Sequence, residues 1–199
     1  MNEMHMRRAM MVMAAVPLAA CGVNSVPTAE ENVNARWGEV QNQYQRRADL
    51  IPNLVATVKG FAGQEEHVLT QVTQARAQAT SINVTTDDLS DPQTFQRFQA
   101  AQNQLTQALG QLRTVVEAYP QLTSNQNFLN LQSQLEGTEN RIAIARRDYN
   151  EAVQAYNTRI RTFPDAIGAR VFYGAKPRQS FQAQAGAEVA PQVDFGNAR

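Results

Sequence analysis

"VNARWGEVQNQYQRRADLIPNLVATVKGF" (residues 33–61) carries apolar side chains in alternating steps of four and three. The series runs Val33, Trp37, Val40, Tyr44, Arg47, Ile51, Leu54, Val58 and Phe61, and continues through Glu65, Val68, Val72, Ala75 and Ala79. Only Arg47 and Glu65 break it. A seam sustained at this spacing predicts a helix packed on another helix. Thr28 and Glu31, just ahead of the seam, have the spacing of a capping box and predict a helix start at Thr28. Pro52 interrupts the run without shifting its phase. Either a new helix begins there or one long helix kinks and frees the carbonyl four residues back. A fresh start would leave Ile51 as a poor N-cap, so the kinked helix is favoured. Gly60 and Gly63 weaken the stretch that follows and permit a break there.

The rest of the chain extends the pattern. Residues 80–91, "TSINVTTDDLSD", have loop composition, and Asp91-Pro92 is an N-cap and N1 pair. A second seam holds Phe95, Phe98, Gln102, Leu105, Leu109, Leu112, Val116 and Tyr119, and Pro120 ends it. Ser124 is positioned to cap a third helix, with a seam of Phe128, Leu131, Leu135, Thr138, Ile142, Ala145, Tyr149, Ala152, Tyr156, Ile160 and Phe163. Phe163-Pro164 stops it, and 165–174 is expected to hold a short turn of helix. No strand signal competes. The expected fold is all-α: an elongated antiparallel bundle of three long helices, or four if the first splits at Pro52. The bundle is expected over 28–174. From Lys176 the periodicity is lost, so 175–199 is expected to be an extended or mobile tail.

The first twenty residues read differently. Arg7 and Arg8 precede "AMMVMAAVPLAA" (9–20), an uncharged run that ends in small residues. This is the pattern of a secretory signal peptide. Twelve residues are too few for a membrane-spanning helix, which needs roughly 20. Leu18-Ala19-Ala20-Cys21 looks like the lipobox of bacterial lipoproteins, in which the cysteine is acylated (palmitate is a usual chain) and becomes the new N-terminus. Residues 1–20 are therefore expected to be a signal peptide, Cys21 the lipid attachment site and 21–27 a tether. Gly22 stands where an inner-membrane retention signal would carry Asp, so the outer membrane is expected in a double-membraned cell. Removing Glu3, Arg7 and Arg8 from a chain with 18 acidic and 18 basic side chains leaves the mature protein near neutral. Lipid, not charge, would then hold it at the membrane. The same neutrality argues against a nucleic-acid partner. A single cysteine excludes an intrachain disulfide framework and any cysteine-built metal site.

The search for catalytic chemistry is mostly negative. With His5 in the signal peptide, His67 is the one histidine left, so neither a zinc site nor a histidine triad can be assembled. No phosphate loop, dinucleotide fingerprint or nucleophile elbow is present. No cofactor or metal is expected. Two polar clusters remain. One is "YQRRADLIPNL" (44–54), with Arg46, Arg47, Asp49 and Asn53 around Pro52. The other is "LEGTENRIAIARRDYN" (135–150), with Glu136, Glu139, Asn140, Arg141, Arg146, Arg147, Asp148 and Asn150. The plainer reading makes both clusters solvated helix faces whose ion pairs and hydrogen bonds fix register. The functional reading makes Arg46, Arg47, Asp49, Asn53, Glu139 and Asn140 a partner-recognition surface near the kink. Acid–base work would need a concave pocket, of which a narrow bundle is expected to offer little.

Three stretches carry a family resemblance: "RRADLIPNLVATVKGFA" (46–62), "YPQL…NQNFLNLQSQLEGTENRIAIARRDYNEAVQAYNTRIRTFP" (119–164) and "PQVDF" (191–195). Over roughly residues 33–195 the chain resembles the LemA family of bacterial membrane-associated proteins. The resemblance implies an all-α bundle outside the cytoplasm, no known enzymatic activity and no catalytic residues to carry over. Genes for such proteins often neighbour those of TPM-domain proteins or HtpX-type membrane proteases, which implies a link to envelope homeostasis. Two features depart from the family. Many members begin with an uncleaved transmembrane helix, and the family's Phe-Gly-Phe stands here as Phe172-Tyr173-Gly174, which leaves docking of the tail open. The functional expectation is a lipid-anchored extracytoplasmic scaffold or adaptor facing the periplasm. The alternative is a small-ligand binder or an enzyme using the clusters around Pro52 and Glu139.

Overall fold

The computed structural model describes residues 24–182, and no strand occurs among them. Cys21, the signal-peptide segment and the closing "PQVDF" lie outside the described residues. The helices are α1 (Ser25–Phe61), α2 (Glu66–Ser81), α3 (Pro92–Val116), α4 (Pro120–Thr123), α5 (Gln126–Arg159) and α6 (Asp165–Val171), with a 3₁₀ turn at Asp87–Ser90. The all-α bundle is as expected. Its four long helices, however, come from a break at 62–65 and not at Pro52.

α1 runs unbroken through Pro52. The carbonyl that proline leaves without an intrahelical donor belongs to Ala48, and Arg76 Nε of α2 donates to it at 2.8 Å. The break falls where Gly60 and Gly63 lower helix propensity. A Cβ at Gly63 would meet the Lys59 carbonyl at 3.2 Å, tighter than side chains ordinarily tolerate. α2 then folds back along α1 and packs on both α1 and α3. Phe61, expected in the seam, is left exposed because the chain turns away there.

Other boundaries shift for local reasons. α1 starts at Ser25, and Val26 is fully buried, so the last three residues assigned to the tether, and the expected N-cap Thr28, are helix. The Thr28 hydroxyl donates back to the Asn24 carbonyl instead of capping. α3 is capped as expected: Asp91 accepts from the Gln93 and Thr94 amides. The Thr94 hydroxyl and the Gln93 amide hold the Asp91 carboxyl below its ordinary range. α5 is capped by Asn125, which accepts from Phe128 N, and not by Ser124. It ends at Arg159, so Phe163 lies beyond the helix and faces solvent.

α1 and α5 form the antiparallel spine. Arg159 reaches Ser25, Asp148 lies 4.0 Å from Arg36, and Glu139 pairs with Arg47. The core divides in two along this spine. Around Trp37 the rings of Phe95, Phe98, Tyr149 and Phe181 lie with centroids 5.3–6.2 Å away. The second half is largely aliphatic, built on Ile51, Leu54, Val58, Val72, Leu105, Leu112 and Leu122. The indole Nε1 of Trp37 donates to the Val84 carbonyl at 3.1 Å, which satisfies a buried donor and ties down the 82–91 loop.

The tail is ordered as far as it is described. Asn157 and Asn150 each clamp one tail residue through both its backbone N–H and C=O, at Arg178 and Phe181 respectively. Phe181 is buried against Trp37, and Arg146 covers its ring at 4.6 Å. Arg178 reaches Glu30, the Thr86 carbonyl and Ser90. Residues 175–182 are thus extended but docked, because an aromatic anchor and amide clamps replace helical periodicity.

Candidate functional site

The two polar clusters meet at one point. Arg47, the break in the first seam, is 1% exposed and sits between the halves of the core. Its Nη1 donates to Glu139 Oε1 at 2.8 Å and to Thr106 Oγ1 at 2.9 Å. Its Nη2 donates to Gln102 Oε1 at 2.6 Å and to the Gln102 carbonyl at 3.3 Å. Gln102 in turn donates to the Ala79 carbonyl of α2, so one guanidinium links all four long helices. The Arg47 carbon of charge lies 5.1 Å from the Tyr44 ring centroid. Burial is the main cause that pushes the Tyr44 hydroxyl above its ordinary range, while Arg146 and Arg47 work against it.

The expected recognition surface is split by this geometry. Arg47 faces inward and cannot flank an exposed surface. Arg46, Asp49 and Asn53 lie on the solvent side of α1, where Asp49 accepts from Gln45 one turn earlier. The second cluster divides too. Arg146 and Asn150 hold the tail, while Arg147 pairs with Asp148 on the surface. Glu139 and Asn140 take a different place, on the rim of a groove.

That groove has a volume of about 460 Å³ and lies between α3 and α5 over α1. Leu54, Leu109, Leu112, Val116, Phe128 and Leu135 line it, and Arg113, Gln132, Glu136, Glu139 and Asn140 edge it. A narrow bundle is expected to offer little concavity, and the groove exceeds that expectation. It exists because α3 and α5 make little direct contact: α3 packs on α2 and α5 on α1, which leaves the space between them open over Leu54. Leu109 and Leu135, mid-seam by spacing, are consequently only partly buried. No spacing rule reveals such a groove, since a seam position reads alike whether its neighbour is another helix or open space. Among the described residues no three His, Cys, Asp or Glu side chains converge in a metal-binding group.

A profile of the LemA family matches residues 36–195. The chain belongs to the LemA family. It is 27% identical over 157 residues to the magnetosome protein MamQ 2 of Paramagnetospirillum magneticum, covering 71% of this chain and 58% of that one. MamQ of Magnetospirillum gryphiswaldense is 24% identical with the same coverage. Protein LemA of Metamycoplasma hominis is 24% identical over 124 residues, covering 62% of this chain and 52% of its own. The chain spans little more than half the length of these relatives. LemA membership makes this a membrane-associated helical protein, and neither the family nor the magnetosome relatives are known as enzymes. No described helix is long and apolar enough to cross a membrane.

Proposed function

We propose that this LemA-family protein is a lipid-anchored, extracytoplasmic adaptor of the bacterial envelope without catalytic activity. In this reading acylated Cys21 holds it at the membrane facing the periplasm, at the outer membrane in a double-membraned cell. The α3–α5 groove then receives an apolar segment of an envelope partner. The groove carries the adaptor reading: an apolar floor with a polar rim is how helical grooves take amphipathic segments. TPM-domain and HtpX-type envelope proteins are the first partners to test, by the family resemblance.

A photo-crosslinking amino acid at Gln132 or Leu135 is expected to capture a discrete partner in cells, whereas one at Asn53, on the solvent face of α1, is not. Equal yields from all three positions would remove the groove as the docking site. Cys21→Ser is expected to abolish acyl labelling and membrane recovery. A serine variant that still incorporates radiolabelled acyl chains rejects the anchor.

A second reading rests on volume. A cavity of about 460 Å³ lies within the range that holds a small apolar ligand, roughly 300–1,000 Å³. Native mass spectrometry of protein purified from membranes separates the two: a bound small molecule lost in Leu135→Glu favours a ligand binder.

A further inference from the structure

Four large apolar side chains close together in the chain stand exposed: Phe163 is 80% exposed, Val171 and Phe172 each 68% and Ile167 58%. They lie on α6 and the turns flanking it, and Ile167 and Val171 share one helix face by their spacing of four. Isolated exposed apolar residues need no explanation, but a run of this kind marks an interaction surface.

The position of this tip in the fold says what it meets. α6 packs on the start of α1, where Ala169 joins Val26 in the core. Arg159, which also pairs with Asp165 at 3.7 Å, donates to the Ser25 carbonyl at 3.1 Å. The tip and the N-terminal end of α1 are therefore one end of the molecule. Cys21 is four residues before Ser25, and four residues reach at most about 14 Å even fully extended. An acylated Cys21 thus keeps Ser25, and with it the end of the bundle that carries the tip, close to the lipid surface. An apolar tip that carries two phenylalanines, with Arg161 and Arg170 beside it, matches the interfacial zone of a bilayer.

We infer that Phe163, Ile167, Val171 and Phe172 insert into the lipid interface as a second membrane contact that orients the bundle upright on its anchor. This inference rests on the lipid-anchor reading of Cys21.

The test uses the mature lipoprotein with Cys21 intact and acylated, so that an added cysteine is the one free thiol. Phe172→Cys, Val171→Cys and, as reference, Ile144→Cys on α5 are each nitroxide-labelled. All are reconstituted in phosphatidylethanolamine–phosphatidylglycerol vesicles, with unchanged circular dichroism as the check on folding. Labels at 171 and 172 are expected to collide several-fold more with lipid-dissolved oxygen than with an aqueous nickel chelate, and the label at 144 to show the opposite. If all three labels are equally open to the chelate while mass spectrometry shows acylated Cys21, the tip contact is wrong and the anchor stands. Dipolar broadening between tip labels would show a second copy covering the patch and overturn the inference. A Cys21 without acyl chains removes the anchor reading and this inference with it.

Discussion

Arg76 Nε stands 2.8 Å from the Ala48 carbonyl, the one backbone acceptor in α1 that Pro52 deprives of its helical donor. Proline in a helix interior costs ~3 kcal/mol or more, partly through that lost bond. Here a side chain of the antiparallel neighbour replaces it, and in doing so fixes where α2 lies along α1. Removing Arg76 leaves a buried carbonyl unpaired, at ~1–3 kcal/mol. Restoring the amide with Pro52→Ala gives that carbonyl a local donor. Arg76→Met is therefore expected to be destabilising in the natural chain and nearly neutral in Pro52→Ala. Urea denaturation of the four variants measures the coupling, and additive losses would mean that the two residues act independently.

Arg47 and Glu139 divide their burial unequally, at 1% and 39% side-chain exposure. The carboxylate keeps contact with water, whereas the guanidinium depends on protein acceptors. Losing the anion strands a buried cation, so Glu139→Ala is expected to cost ~3–5 kcal/mol. Replacing the cation as well, in Arg47→Met/Glu139→Ala, keeps the side-chain volume and removes the stranded charge. The double variant is expected to be more stable than Glu139→Ala alone. A double variant less stable than the single would show that hydrogen bonds to Gln102 and Thr106, not charge, dominate this site.

Leu105 and Leu112 are buried in the α3 seam, while Leu109 and Leu135 open onto the groove. Leu105→Ala is expected to cost ~2–5 kcal/mol by transfer and cavity terms. Leu135→Ala, already in contact with solvent, is expected to cost ~1 kcal/mol and to lower partner capture at Gln132. Gln104→Ala and Gln111→Ala, on the exposed face, should stay within about 0.5 kcal/mol. Equal losses at Leu105 and Gln104 in urea melts would sink the assignment of the seam.

Alkali should destabilise the fold. Burial raises the hydroxyl pKa of Tyr44, Tyr149 and Tyr156 above the ordinary value of 10.0. A raised folded pKa means that the unfolded chain loses those protons first. The stabilisation is complete below about pH 10 and is lost as pH climbs through the folded values. Each such tyrosine steepens the decline by up to ~1.4 kcal/mol per pH unit. Urea midpoints measured from pH 8 to 12, with absorbance at tyrosinate wavelengths, should fall together with late, cooperative ionisation. Tyrosines titrating at ordinary pH in folded protein would contradict this.

Much of this fold was legible in the chain. Val33 to Val58 and Phe95 to Val116 declared their helices because a buried face must recur at the helical period. Asp91-Pro92 declared a start because its chemistry is local. The tail was not legible: Phe181 carries no periodic signal, and its burial depends on Trp37, Phe95 and Tyr149 arriving from three other helices. The polar clusters were legible as residues, but which of them face water and which face another helix was not. Spacing placed Arg47 on the seam, yet only packing shows whether a seam arginine points out or is buried under acceptors from other helices.

The sequence by itself determined the all-α class, the helical faces and the family, since each depends on neighbours in the chain or on a linear pattern. The tertiary structure decided between outcomes the sequence left open at Pro52 and at Gly60 and Gly63: α1 survives the proline, with Arg76 of α2 on the freed carbonyl, and breaks after Phe61. It also decided that α3 and α5 stand apart over α1, leaving a groove, and that Phe163 to Phe172 collect beside Ser25 at one end. Distances between helices depend on all the side chains that fill the space between them, and no window of sequence contains that sum.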